Sequence, residues 1–406
     1  KFLKKIKSNY LFISAPENIA WLLNIRGYDN PYSPIPNCRL LINDEGKIHL
    51  IVKMKKVKKI IKEKKINKKQ VVDPKNFKSF INGLNKNKIV IDNKSCSLFF
   101  EEILRNKFII LKKDDPTYYF KSLKNKSEIQ NMINAHILDG AALTKFLYWI
   151  KKVNKKNLTE YEAQKKLEKF RKKNIEYFSP SFNTIAGSGA NGAIVHYRAN
   201  KKNSKKIDKK DIFLCDSGGQ YKYGTTDVTR TICFSKQKDN IKNIFTNVLK
   251  GHIAVTNTNL KKYSNGSQID LRARKFLKNS GYDYQHGTGH GVGFFLNVHE
   301  GPQGITKFNK IKLEEGMILS NEPGFYEEGK FGIRIENLLY IKKENRKLMF
   351  KNLTLVPIEK DLINFKKLSN VEKDYLFKYH LDVYGKISKY LNNNEKKWLA
   401  SHIYHF

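Results

Sequence analysis

The chain has 406 residues, 40% hydrophobic and 12% aromatic, and 78 Lys and Arg stand against 38 Asp and Glu for a formal net charge of +40. This length and apolar content exclude a disordered chain and provide for two or three domains with real cores, and no apolar run approaches the ~20 residues of a membrane span. The charge invites a nucleic-acid reading, but lysines spread along the whole chain carry most of it, as in KKINKKQ and NKKNSKK, while arginine, the usual base reader, is scarce. We expect solvated lysine-rich faces, no nucleic-acid partner and no membrane.

In chain order, ENIAWLLNIRG reads as a helix ending at a glycine, and RLLIN and KIHLIV flank DEGK as a hairpin. VKKIIKEKKI reads as a helix and NKIVIDN as a short apolar strand, so the first ~115 residues form a small α/β unit. KKDDPTYYFKSLKNKSE is expected to be a linker. SEIQNMINAHILDGAALTKFLYWIKK has apolar residues at helical spacing, with Ser127 and Glu128 at its start. LTEYEAQKKLEKFRKK opens on Thr159 with Glu162 three residues on, a capping box. Short strands and glycine turns then dominate (IFLCDSGGQYKYGTTDVTRTICF, GMILSNEPGFYE, GIRIENLLYI), with helices IKNIFTNVLKGHIAVTNTNL and IDLRARKFLKN between them. The order helix, strands, helices, strands suggests α+β with antiparallel sheets. The last ~45 residues read as a helical tail with Tyr375, Phe377, Tyr379, Tyr384 and Trp398 as its aromatics. Cys38, Cys96, Cys215 and Cys233 are scattered without CxxC spacing and form neither a disulfide framework nor a zinc knuckle, so a reducing compartment is the default.

Four carboxylates stand in strand-like apolar text: Asp216 and Asp227 in CDSGGQYKYGTTDVTRT, Glu322 in LSNEPGFY and Glu336 in FGIRIENLLYI. A buried carboxylate is costly unless it is paired or bound to a metal. Three histidines, His286, His290 and His299, share HGTGHGVGFFLNVHEG. Taken singly, each residue has an ordinary structural explanation: a turn aspartate, an exposed glutamate before Pro-Gly, a satisfied core histidine. Together they suit a pair of divalent ions ~3.5–4 Å apart, which needs several carboxylates and an imidazole, with oxygen-rich ligation suiting harder ions such as Mn2+. VHEGPQG lacks the HExxH spacing of a zinc peptidase.

These motifs resemble aminopeptidase P (Xaa-Pro aminopeptidase), in particular its cytosolic-type multidomain branch. The resemblance rests on DSGGQYKYGTTDVTRT, HGTGHGVGFFLNVHEGPQGI, SNEPGFY and GIRIEN. It extends to IAWLLNIRG, NKSEIQNMINAHILDGAAL, NTIAGSGANGAIVHY and the tail YHLDVYGKISKYLNNNEKKWL. It implies a pita-bread catalytic domain of α+β class over residues 121–358, preceded by a small α/β creatinase N-terminal-like domain over 1–120 and followed by a helical extension over 359–406. Larger members carry two domains before the catalytic one, and the resemblance implies that the first of these is missing ahead of Lys1.

The resemblance further implies hydrolysis of the N-terminal Xaa-Pro bond of peptides through a hydroxide bridging two divalent ions, commonly Mn2+. Asp216, Asp227, His290, Glu322 and Glu336 are the implied ligands, with Asp227 and Glu336 bridging. Glu322 is the implied general base or proton shuttle. His299 and His196 are expected to contact the substrate or its transition state, and His286 either to bind substrate or to orient ligands. Arg334 and Tyr326 are further candidates for substrate contact, against an ordinary salt bridge and ordinary packing, and Phe182 is a candidate for an apolar wall beside the proline ring. A homodimer and a cytoplasmic location follow from the same resemblance. A prolidase or methionine-aminopeptidase-type enzyme of the same fold, or a non-catalytic peptide-binding relative, remain alternatives.

Overall fold

Alternation of side chains decides how the first strand is used. All four residues of Tyr10–Ile13 are buried, because Leu11 and Ile13 enter one core with Ile19 and Val57 while Tyr10 and Phe12 enter another with Phe77 and Leu104. A strand buried on both faces needs a layer on each side. Helices Pro16–Leu22 and Met54–Lys62 supply one layer, and Phe77–Asn82 and Leu98–Arg105 the other.

The computed structural model describes residues 1–403. It divides into one unit over Lys1–Lys121 and a second that starts at Ser122. The first unit holds a six-stranded sheet in the order Val71–Val72, Ile48–Ile51, Arg39–Asn43, Tyr10–Ile13, Lys88–Ile91, Ile109–Lys112. The expected hairpin is present: Arg39–Asn43 pairs antiparallel with Ile48–Ile51. Its turn closes on Asn43, whose Oδ1 accepts from the backbone of Glu45 and Lys47, with Gly46 at φ +85°. The stretch expected to be a plain linker is more ordered: it takes in the end of Ile109–Lys112 and a short helix, Thr117–Ser122.

The second unit opens with the long helix Lys126–Lys152, capped by Asn125 and Glu128 in a reciprocal box. The start is therefore two residues earlier than Ser127. Glu160–Arg171 follows with the expected Thr159–Glu162 box. In one sheet Ile212–Ser217 lies between Ile185–Ser188 and Val228–Cys233. In a second, five strands run Glu300–Ile305, Gly289–Gly291, Ile318–Asn321, Asn337–Glu344, Lys347–Asn352. Between them in the chain come helices Asp239–Thr256 and Gly266–Lys278, and the hairpin of Gly324–Glu327 with Phe331–Arg334 lies beside the helices' core. The tail is helical as expected, over Asn370–Ile387 and Asn393–Ala400, and Tyr379 and Trp398 pack into the same core region. This is the pita-bread α+β arrangement. Among the described residues no helix is long and apolar enough to cross a membrane.

Candidate metal centre

The five expected ligands come from five strands, two from within a strand and three from the residue beside one. Asp216 lies in Ile212–Ser217 opposite Thr229, and Asp227 immediately precedes Val228–Cys233. His290 is the middle residue of Gly289–Gly291. Glu322 follows Ile318–Asn321 and Glu336 precedes Asn337–Glu344, and Asn321 pairs with Asn337. The next rung of that ladder would set the two glutamates opposite each other. Gly289 is needed where it stands, since a Cβ there would lie 2.0 Å from the Ser320 carbonyl oxygen.

The donors converge. Ligand atoms of Asp227, His290 and Glu336 all lie within 4.8 Å of one another. His290 Nε2 is 3.5 Å from Asp227 Oδ2 and 3.4 Å from Glu322 Oε1. His290 Nδ1 donates to the Gly291 carbonyl at 2.9 Å, which leaves the Nε2 lone pair facing the carboxylates, the arrangement expected of a ligating imidazole. Ser320 Oγ donates to Glu322 Oε1 at 2.9 Å, and Thr229 Oγ1 donates to Glu336 Oε2 at 2.9 Å. Arg334 donates to Asp216 Oδ2 at 2.7 Å, whereas Asp216 Oδ1 is buried without a hydrogen-bond partner.

Burial, then the charges of Asp216 and Glu322, hold Asp227 well above the usual carboxylate range. Burial, then Asp227 and Glu322, do the same to Glu336. Glu322 is also raised by burial, with His290 and Arg334 opposing. Mutually repelling buried acids with an orphaned oxygen are a donor set that fits divalent cations, which would take the place of the protons. A second acidic group, Cys233 with Glu359 and Asp361, is a different case. Lys151 Nζ already sits 2.6 Å from Glu359 and 3.0 Å from Asp361.

The five residues line a cavity of about 290 Å3, and His196, His286, His299, Arg334 and Phe182 line it too. His299 packs its ring on His290 with centroids 4.2 Å apart. His196 and His299 are exposed to the cavity. Burial, then His290 and His196, lower the His299 pKa to about 4. His286 is engaged at both nitrogens: Nδ1 donates to the Gly287 carbonyl at 2.8 Å and Nε2 accepts from the Tyr326 hydroxyl at 2.9 Å. Tyr326 in turn accepts from Arg334 at 2.6 Å. The expected residues are thus all brought together, with Tyr326 one layer behind the cavity wall.

Residues 130–343 match the model of metallopeptidase family M24, residues 1–128 that of the creatinase/prolidase N-terminal domain, and residues 346–405 that of the C-terminal region of peptidase M24. The chain belongs to metallopeptidase family M24. Among its M24 relatives, an uncharacterised peptidase of Schizosaccharomyces pombe is 39% identical over 98% of this chain and 69% of its own length. A probable Xaa-Pro aminopeptidase P of Pyrenophora tritici-repentis is 37% identical over 97% of this chain and 70% of its own. The crystal structure of the X-prolyl aminopeptidase of Caenorhabditis elegans, described as a cytosolic enzyme with a di-nuclear active site, superposes with a TM-score of 0.90 at 31% identity, covering 99% of this chain and 69% of that one. The prolidase of Pyrococcus furiosus superposes with a TM-score of 0.69 at 26% identity, over 87% of this chain and 98% of that one.

Sequence reasoning missed the hydroxyls that hold the M24 carboxylates, Ser320 and Thr229. Ser320 stands two residues before Glu322, so the period of two along a strand carried a signal. Thr229 reaches Glu336 across 107 positions, a relation the sequence does not print.

Proposed function

We propose that the chain is an Xaa-Pro aminopeptidase, hydrolysing the bond between the first residue and a proline at position two of a peptide. The observation that carries this is the convergence of five donors, with one carboxylate oxygen left orphaned, on a small cavity with an apolar side. Its family and its similarity to enzymes named for that activity support it. Asp216, Asp227, His290, Glu322 and Glu336 would hold two divalent ions, Asp227 and Glu336 shared between them. When bound, such a pair supplies a bridging water deprotonated near neutral pH and Lewis-acid polarisation of the scissile carbonyl. Manganese as the native metal, a homodimer, a cytosolic setting and the division at residues 120 and 358 belong to the same proposal.

The chain's own residues do the rest. Glu322, held at Oε1 by Ser320 Oγ, takes the proton of the attacking water and passes it to the proline nitrogen as that leaves. His299 and His196, facing the cavity, donate N–H groups to the carbonyl oxygen as charge develops there. Phe182, Ile185 and Val195 give the cavity its apolar side, where the proline ring packs. Arg334 holds Asp216 and, through Tyr326, fixes His286. His286 and Arg334 therefore orient the site, and each keeps an edge on the cavity for substrate.

The test is Mn2+-dependent release of the first residue from an Xaa-Pro-Xaa tripeptide, run beside an Xaa-Pro dipeptide and a Met-Ala peptide. Cleavage of the tripeptide carries the proposal. Cleavage of the dipeptide alone would make the chain a prolidase, cleavage of Met-Ala alone a methionine aminopeptidase, and cleavage of none with no bound metal a binding protein.

A further inference from the structure

Glu300 follows His299 and lies opposite Gly291, which follows His290. It is thus one residue from each of the two histidines whose rings touch. Here the strand pairing is irregular: His290 pairs with Gly304, but the next residue, Gly291, pairs with Glu300. Ladder hydrogen bonds that elsewhere fix register are interrupted at the point where the two histidines must meet. Something other than the ladder has to hold Glu300 in place.

That partner is Lys124. Its Nζ lies 2.5 Å from Glu300 Oε1, and both side chains are wholly inaccessible to solvent. The lysine's own backbone is pinned on two sides. Its N–H donates to the Gly316 carbonyl at 3.0 Å. The next residue, Asn125, is fixed as the cap of Lys126–Lys152. Gly316 sits at φ +87°, and a Cβ on it would lie 2.5 Å from the Lys124 carbonyl oxygen, so the approach is close by construction. On the other side, the Glu300 carboxylate packs into the hairpin between the histidines: a Cβ on Gly293 would lie 3.1 Å from Glu300 Oε2.

A fully buried ion pair is a poor device for stability, because apolar side chains of similar volume serve as well or better. What it supplies is a fixed direction and distance. We propose that Lys124 and Glu300 are positioning residues of the reaction, clamping the hairpin Gly291–His299 so that His299 is held against His290 and aimed into the cavity. This rests on the reading of the cavity as a peptidase site.

The test is the double variant Lys124→Met/Glu300→Met, beside Lys124→Met alone. Two methionines fill similar space and remove both charges of the pair together. The double variant is expected to melt within about 4 °C of wild type, since the pair adds little net stability. Its kcat on an Xaa-Pro-Xaa peptide is expected to fall about ten- to a hundredfold with KM changed less than about threefold, as for a misplaced catalytic group. In the metal-free protein the imidazole NMR signals of His290 and His299 should shift or double. Lys124→Met alone takes from the buried Glu300 carboxylate the ammonium beside it, and should lose both melting temperature and kcat. A double variant with wild-type kcat and unmoved histidine signals overturns the proposal. So does one that fails to fold, which would make the pair a stability element. A wild-type chain inactive on Xaa-Pro peptides would sink the peptidase reading instead, and the histidine spectrum would still decide the role of the pair.

Discussion

Asp227→Asn examines the metal centre through stability instead of turnover. Without a cation, Asp227 and Glu336 stand above their ordinary values of 3.8 and 4.5, by burial first and neighbouring carboxylates second. A carboxyl whose pKa is raised on folding binds its proton more tightly in the folded chain. Its contribution is fully favourable below the unfolded pKa and is lost as pH rises toward the folded one. The slope is about 1.4 kcal/mol per pH unit for each group while the folded chain keeps the extra proton. The metal-free wild type at neutral pH therefore carries an electrostatic cost at this cavity, and asparagine, of nearly the same shape, removes the Asp227 share. The metal-free variant should be more stable than the metal-free wild type at about pH 7, with a gap that widens by about 1.4 kcal/mol per pH unit above about pH 4 until the folded carboxyl titrates. Mn2+ should reverse the order. An ion present at about a thousand times its Kd adds about 4 kcal/mol to the wild type, and much less to a variant lacking a shared ligand. Denaturation in EDTA and in excess Mn2+, followed from about pH 5 to about pH 8, measures both effects. A metal-free variant less stable than wild type at neutral pH, or a gap that ignores pH, would refute the electrostatic argument, and equal stabilisation by Mn2+ would refute the ligand assignment.

His299→Ala should lower kcat about 10²–10³-fold, the range for loss of one donor to a developing oxyanion, with metal content unchanged by atomic absorption; loss of an ion would make the residue a ligand. His136 donates from Nδ1 to the Met132 carbonyl at 2.7 Å, while its Nε2 is buried without a partner, and burial pushes its pKa from 6.5 down to about 4. Its depressed pKa gives stability that is present above pH 6.5 and is lost as pH falls toward 4. His136→Gln should therefore lessen the acid-side slope by about 1.4 kcal/mol per pH unit in that window, and an unchanged slope in urea titrations would count against it. Arg171 donates to both oxygens of Asp139 and to Ser217 with almost no exposure. Arg171→Met should cost about 3–5 kcal/mol by stranding the carboxylate, read as a fall in denaturation midpoint with KM unchanged in the surviving folded fraction.

What the sequence disclosed was what is local. Thr159 with Glu162 is a spacing of three, and the box forms there. Asn125 with Glu128 has the same spacing and forms as well, two residues ahead of the start expected at Ser127. The reciprocal hydrogen bonds of Asn125 and Glu128 fix the cap there. The helix Thr117–Ser122 was overlooked because PTYYFKS has no apolar period, although Pro116 ahead of it is an ordinary helix-start signal. The candidate ligands were legible because a carboxylate between apolar strand residues violates the pattern that surrounds it. Their supports were not. Arg334 meets Asp216 across 118 positions, and Lys124 meets Glu300 across 176. Among 78 basic residues, nothing in SLKN marks one lysine as buried.

Counting charge explains why three histidines on one stretch do not make a three-histidine site. His286 has given both nitrogens to Gly287 and Tyr326, and burial, then Arg334, lower its pKa to about 4. His299 is lowered as well. Both are neutral near pH 7 and add no charge, and a ligating imidazole is neutral too. Four carboxylates remain, offset by the guanidinium of Arg334, which its carboxylate and tyrosine partners keep charged. That leaves three negative charges in one cavity, where burial and then Asp216 and Glu322 raise Asp227, and burial and then Asp227 and Glu322 raise Glu336. One divalent ion would leave an excess of negative charge beside the carbonyl to be attacked, which would repel the developing oxyanion. Two divalent ions exceed the protein's charge by one, the amount that an anionic nucleophile neutralises. On the proposed assignment the carboxylates thus match two ions, His290 adds a neutral ligand, and His286 and His299, uncharged, are left to direct hydrogen bonds.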